Sequence, residues 1–223
     1  TSMISVVIPV LDNHNYTRDL LHDISLNEIK PDEIIIIDNG SKESYEDMIR
    51  ILRNPTINYI RFNENRGVNA AWNLGIMLAK NDLVTILNND ILLNLYFFKK
   101  ILKTMEDPFI GICVPNTLKY AQFHDKDEEP KVKDLGKREG WAFTIRKEIV
   151  SKCGYIPDKL KIFCGDDFLF DASRKIGFRN VKMMNNYIFH YGSVTVKQYD
   201  PARSILKCEK LCWEQIKKDI YGG

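Results

Sequence analysis

Continuous apolar runs alternate with stretches of helical spacing through the first part of the chain. Ile4–Val10 (ISVVIPV) is rich in β-branched residues, which predicts a buried strand. Leu20, Leu21, Ile24 and Ile29 then recur at roughly helical spacing. Glu33–Ile37 (EIIII) predicts a second strand, which stops at Asp38-Asn39-Gly40-Ser41. Met48, Ile49 and Leu52 return to helical spacing, Asn58–Phe62 predicts a third strand, Asn69–Ala79 a helix and Leu83–Leu87 a fourth strand. Strands that are apolar throughout, alternating with helices, predict a parallel sheet covered on both faces. In such sheets ligands bind beyond the carboxyl ends of the strands. Pro9-Val10-Leu11-Asp12, Asp38-Asn39-Gly40-Ser41 and Asn88-Asn89-Asp90 all fall at such ends. Together they predict one polar rim.

The second half reads differently. Ile110–Val114 and Trp141–Ile145 predict strands, and Asn116–Glu139 between them is polar and without period. A loop of that length is usually functional or disordered, and here it is expected to be mobile without ligand and partly ordered with it. A helix is expected through Cys153, another from about Asp167 to Ile176, and short strands at Val181–Met184 and Tyr187–Phe189. From Pro201 onward Ile205, Cys208, Cys212, Ile216 and Ile220 form an apolar stripe opposite lysines. The stripe suits a membrane surface or, more simply, docking onto the domain.

Composition narrows the classes. With 32 Lys and Arg against 30 Asp and Glu the net charge is only +2, which argues against a dedicated nucleic-acid binder. The 223 residues suffice for one domain with a sizeable core. No apolar run is long enough to span a bilayer. Five cysteines with no C-x-x-C pair read as free thiols in a reducing compartment. Cys208 and Cys212, four apart, are expected to pack in the core rather than to form half of a metal site. Thr1 and Ser2 read as a cloning remnant before Met3, and a cytoplasmic location follows, at a membrane periphery or within a larger protein.

Several clusters could carry chemistry. Asp38-Asn39-Gly40-Ser41 suits a turn with Ser41 as a helix cap, or a pocket for a uracil-type base. In NENRGVNAAWNLGI (residues 63–76), Gly67 precedes a helix and permits close phosphate approach, with Arg66 beside it. Asn73 and Gly75 lie inside that helix at a cost in propensity, which points to packing or function. Asp90 offers hard oxygen ligands suited to Mg²⁺ or Mn²⁺. Asp166 and Asp167 in CGDDFLF sit at a helix start, as dipole-favoured residues or as a general base. His190 in FHYGSVT is a structural residue or a metal ligand. Trp141, just after Gly140, suits core packing or stacking on a ligand.

In order and spacing these segments resemble the GT-A nucleotide-sugar glycosyltransferases, specifically the inverting family 2. The matching residues are Val6-Val7-Ile8-Pro9, Asp38-Asn39-Gly40-Ser41, Asn65 through Gly75, Leu87-Asn88-Asn89-Asp90, Gly165-Asp166-Asp167 and His190 to Thr195. The resemblance implies an α/β, Rossmann-like fold with a mostly parallel central sheet and a small antiparallel acceptor-side part. It implies a single domain, with a nucleotide-sugar half (about 4–115), an acceptor half (about 116–200) and a C-terminal helix (201–223). Pro9, Val10, Asp38, Asn39, Arg66, Gly67, Asn73, Asn88 and Asn89 would bind a UDP- or dTDP-sugar. Asp90 and His190 would hold Mn²⁺ or Mg²⁺, Asp166 or Asp167 would be the base, and Trp141 would face a glycan, glycoprotein or glycolipid acceptor. This chain has Asn88 where the family's D-x-D metal motif begins with Asp, and Asp38-Asn39 where two aspartates are common. Two other readings compete. A nucleotidyltransferase resembles a glycine-rich first turn, which PVLDNHNY lacks, and a non-catalytic nucleotide-sugar or carbohydrate module would bind without turnover.

Overall fold

The computed structural model describes residues 3–136, 139–192 and 203–221. The expected motif residues Ser193 and Thr195 lie outside them. The strands are β1 (Ile4–Val10), β2 (Glu33–Asp38), β3 (Ile57–Arg61), β4 (Leu83–Leu87), β5 (Ile91–Leu93), β6 (Ile110–Leu118), β7 (Val132–Asp134), β8 (Ala142–Arg146) and β9 (Arg179–His190). The helices are α1 (His14–Leu26), α2 (Glu46–Leu52), α3 (Val68–Leu78), α4 (Phe97–Thr104), α5 (Lys147–Cys153), α6 (Gly165–Lys175) and α7 (Ser204–Tyr221).

All strands join one sheet in the order β3-β2-β1-β4-β8-β6-β9-β5, with β7 on β9. The β3-β2-β1-β4 half is parallel, as the alternating pattern predicts. Antiparallel strands enter with β8 beside β4 and recur with β5 and β7 on β9. Each central strand feeds two cores. Val6, Ile8 and Val10 pack with α1 and α4, whereas Val7 packs with α3, α5 and α6. Burial on both faces is why these strands read as unbroken apolar runs. Gly75 belongs to this packing: a Cβ there would lie 2.2 Å from Val7 Cγ1, so α3 approaches β1 closely only without one.

Three differences from the sequence pattern have physical causes. β5 and α4 carry no clear sequence expectation. β5 is three residues long, and α4 buries Lys100, whose ammonium donates to the Asn185 carbonyl at 2.7 Å. The two strands expected at Val181–Met184 and Tyr187–Phe189 are one strand, β9, interrupted in register: Pro115 pairs with Met183 but Asn116 with Tyr187. Asn185 and Asn186 in that irregularity are buried because their amides bind Glu129 O, Lys131 N and Phe97 O. The polar segment after β6 is not wholly a loop, since it contributes β7. It is tethered by Asp125, which accepts from Leu95 N, and by Asp127, whose carboxylate lies 2.7 Å from Lys99 Nζ.

The C-terminal stretch docks as a helix, but with its contact stripe rotated from expectation. Glu209 and Trp213 are buried, Cys212 and Ile216 are half-buried, and Cys208 is exposed rather than packed. Among the described residues no helix is long and apolar enough to cross a membrane.

Candidate active site at the strand ends

Strand register assembles a cleft. β1 and β2 end together at the Val10–Asp38 pair. The antiparallel β4–β8 pair closes at Leu87 and Ala142, and just beyond it Asn88 N donates to Trp141 O at 2.9 Å. Pairing of Ile91 with His190 brings the end of β9 to the segment after β4. The resulting cleft, of about 260 Å³, is lined by Pro9, Val10, Asn39, Gly67, Asn88, Asn89, Asp90, Trp141, Asp166 and His190 among the expected residues. Leu11, Asn65, Val68, Trp72, Gly140 and Ile162–Cys164 complete the lining.

On the β4 side, His190 Nε2 lies 3.3 Å from Asp90 Oδ1, both side chains being largely buried. The Trp141 ring stacks on His190 with centroids 5.3 Å apart and planes 17° from parallel. Asn88 Oδ1 is buried without a hydrogen-bond partner. An orphaned acceptor in the same cleft lining as a carboxylate and an imidazole is a donor set that fits a divalent cation. No cluster of three His, Cys, Asp or Glu side chains forms among the described residues, so an ion here would draw further ligands from phosphate or water. Asn89 points elsewhere: its Nδ2 donates to Thr17 Oγ1 at 3.0 Å, and Thr17 Oγ1 lies 3.1 Å from Tyr45 OH. Burial pushes the Tyr45 hydroxyl up to about 12.

On the β2 side the cleft wall is built from amides. Asn39 Nδ2 donates to Asn65 Oδ1 at 3.0 Å, and Asn39 Oδ1 accepts Arg66 N at 2.9 Å. Asn65 Oδ1 also accepts Gly67 N at 2.9 Å. Gly67 caps α3 with φ +88°, and a Cβ there would sit 2.4 Å from Lys161 O, so this turn requires glycine.

On the α6 side Asp166 and Asp167 diverge. Asp166 lines the cleft, and a Cβ at Gly140 would lie 2.8 Å from its Oδ2. Asp167 is not in the lining. Burial, then the charges of Asp167 and Asp166, push the Cys164 thiol up to about 12.

Two expected ligand contacts, Asp38 and Asn73, and the expected helix cap Ser41 are instead engaged internally. Asp38 has no accessible surface, and its carboxylate accepts Ser41 N and Tyr59 OH, each at 2.8 Å. It shapes the turn below the cleft. Ser41 caps no helix, since α2 starts at Glu46; its hydroxyl accepts Asp12 N at 2.8 Å. Asn73 grips the backbone of Ile156, donating to its carbonyl at 2.9 Å and accepting its N–H at 3.0 Å. Arg66 is exposed and sits 5.1 Å from the Phe62 ring centroid, outside the lining. The described residues 119–136 also stay out of the lining, so on this side Gly140 and Trp141 form the wall. Sequence reasoning included Asn65 in a matching segment without giving it a role, and missed Ile162 and Phe163. Asn65 could have been singled out as the polar residue two before the helix-capping glycine.

A family model described as glycosyl transferase family 2 matches residues 5–166, β1 through the start of α6. An uncharacterized glycosyltransferase of Rickettsia typhi is 32% identical over 99 residues, 44% of this chain and 30% of that protein. Among solved structures, S. aureus TarS has a TM-score of 0.69 at 14% identity, covering 92% of this chain and 65% of that one. TarS has also been solved in complex with UDP. The mannosyltransferase PcManGT from Pyrobaculum calidifontis, in complex with GDP-Man and Mn²⁺, has a TM-score of 0.66 at 16% identity, covering 84% of this chain and 56% of that one. At these identities the structural likeness is one of fold. The chain thus spans less than two thirds of the length of each. Because the family model takes in most of the chain and every strand that lines the β1, β2 and β4 side of the cleft, the chain belongs to glycosyl transferase family 2.

Proposed function

We propose that the chain transfers a sugar from a nucleotide-diphosphate donor, of UDP or dTDP type, to a hydroxyl of a glycan, glycoprotein or glycolipid, inverting the anomeric centre. The observation that carries this reading is the meeting of Asp90–His190, the Asn39–Asn65 amides and Asp166 in one cleft. The UDP bound to TarS and the GDP-Man and Mn²⁺ bound to PcManGT support the donor class and a divalent ion. In this reading residues about 4–115 serve the donor and about 116–200 the acceptor, with α7 (Ser204–Tyr221) following them. Free thiols favour a cytoplasmic location, in contact with a membrane surface or away from it.

In this reading the nucleoside lies against Pro9, Val10 and the Asn39 amide. Gly67 at the start of α3 lets the donor approach helix N–H groups that favour anions. Asp90 and His190, with Asn88, would hold Mn²⁺ or Mg²⁺, which would supply neutralising charge for the departing diphosphate. Trp141 keeps the His190 ring in plane. Asp166 accepts the acceptor hydroxyl proton as that oxygen attacks the anomeric carbon and the bond to the diphosphate breaks. One displacement inverts the configuration. Asp167, absent from the cleft lining, stays outside the reaction.

The test is donor turnover against UDP-, dTDP- and GDP-sugars with Mn²⁺ or Mg²⁺, with product configuration read by NMR. Metal-dependent release of one nucleoside diphosphate and an inverted product are expected. UDP binding that ignores Mn²⁺, without turnover of any donor, would instead indicate a binding module.

A further inference from the structure

The loop that leads into Asp166 is held from two directions. From beneath, Asn69 Nδ2 donates to Leu160 O at 3.0 Å and Phe163 O at 3.1 Å, and Asn69 N donates to Lys161 O at 3.0 Å. From outside, α7 delivers Glu209. Its carboxylate accepts Phe163 N at 2.7 Å and Ile162 N at 3.0 Å. Ile162 and Phe163 themselves line the cleft. The chain then turns through Cys164 at φ +58° and enters α6, whose second residue is Asp166. Glu209 is only 4% exposed, so its carboxylate is taken from water to serve these N–H groups. A buried carboxylate is costly unless hydrogen-bonded, and this one is spent on backbone of the cleft wall. Trp213, one turn further along α7, meets Phe168 of α6 edge-on at 6.2 Å, so the helix bears on both the loop and the helix it starts. α7 lies beyond the residues matched by the family model.

We propose that α7 is a latch on the cleft and that Glu209 is a positioning residue: it fixes the 160–164 loop and thereby the place of Asp166. The proposal rests on the reading of Asp166 as the base. Releasing the carboxylate frees two N–H groups of the cleft wall, and of the two side-chain holds on the loop the Asn69 one remains.

The experiment compares the full chain with Glu209→Ala, Glu209→Gln and, as a control on the exposed face of α7, Lys210→Ala. Amide exchange is followed by NMR, and turnover is measured with the best donor from the panel. In Glu209→Ala the Ile162 and Phe163 amides are expected to exchange roughly 10–100-fold faster, and kcat to fall about tenfold or more with donor KM little changed. Glu209→Gln, which keeps one carbonyl acceptor, is expected to recover part of both, and Lys210→Ala to match the parent. Should Glu209→Ala fail to fold, Glu209→Gln carries the comparison alone. Unchanged exchange at Ile162 and Phe163 overturns the latch. Faster exchange with unchanged kcat overturns the positioning role. If the parent turns over no donor, the reading of function fails separately, and amide exchange decides the latch.

Discussion

Trp141 and His190 lie face to face, 5.3 Å apart and 17° from parallel, with His190 in turn 3.3 Å from Asp90. The indole is itself fixed, because Nε1 donates to Thr117 Oγ1 at 3.3 Å. The stack therefore links β6, through an aromatic pair, to the proposed metal ligands. Trp141→Ala should weaken Mn²⁺-dependent UDP binding by roughly three- to tenfold, while Trp141→Phe, which keeps a stacked ring, should stay close to the parent. Isothermal titration with and without Mn²⁺ checks both.

Asp90 stands at a strand end, and its loss removes a ligand rather than core volume. Asp90→Ala should keep the circular dichroism spectrum and lose the Mn²⁺ response of UDP affinity. The same variant should lose the rise in thermal midpoint that UDP and Mn²⁺ together give the parent, since ligands stabilise only the state that binds them. Persistence of that rise would remove Asp90 from the metal site.

The two adjacent aspartates should separate sharply. Asp166→Asn should lower kcat by about 10²–10⁴-fold, the usual contribution of a general base, with UDP affinity retained. Asp167→Asn should change kcat by less than about tenfold. Steady-state kinetics decides, and full activity in both variants would place the base elsewhere.

The cysteines should divide by environment. Burial holds the Cys113 and Cys164 thiols up at about 12, so both stay protonated from neutral pH to about pH 9 and should resist alkylation. Cys208 is exposed and should label first. Because burial outranks the neighbouring charges at Cys164, Asp167→Asn should leave it slow. Mass spectrometry after timed iodoacetamide treatment at pH 8 reads all three.

How legible this was depended on what each residue type can signal. The parallel half of the sheet was plain because strands buried on both faces leave unbroken apolar runs. The cleft was plain because polar clusters at strand ends mark a rim. Asp38 and Asn73 were assigned to the ligand because an amide or carboxylate that grips backbone carries the same letters as one that grips a substrate. Only the partners separate them: Ser41 N and Tyr59 OH for Asp38, Ile156 for Asn73. Asp166 and Asp167 were likewise indistinguishable in sequence. On α6 adjacent residues point about 100° apart, and that rotation puts Asp166 in the cleft lining and leaves Asp167 out of it. β9 was read as two strands because a buried Asn185-Asn186 irregularity has no apolar signature. Glu209 gave no signal, as a buried glutamate on a lysine-rich helix looks like one more solvated charge.

The close approach of Gly140 to Asp166 makes residue 140 a steric dial on the proposed base. Its backbone is one that any residue can adopt, since its φ is not positive. An alanine there therefore adds no backbone strain, only a methyl group 2.8 Å from the Asp166 carboxylate. Gly140→Ala would keep the carboxylate itself while moving it by a few tenths of an ångström. Set beside Asp166→Asn, it separates what the carboxylate is from where it stands.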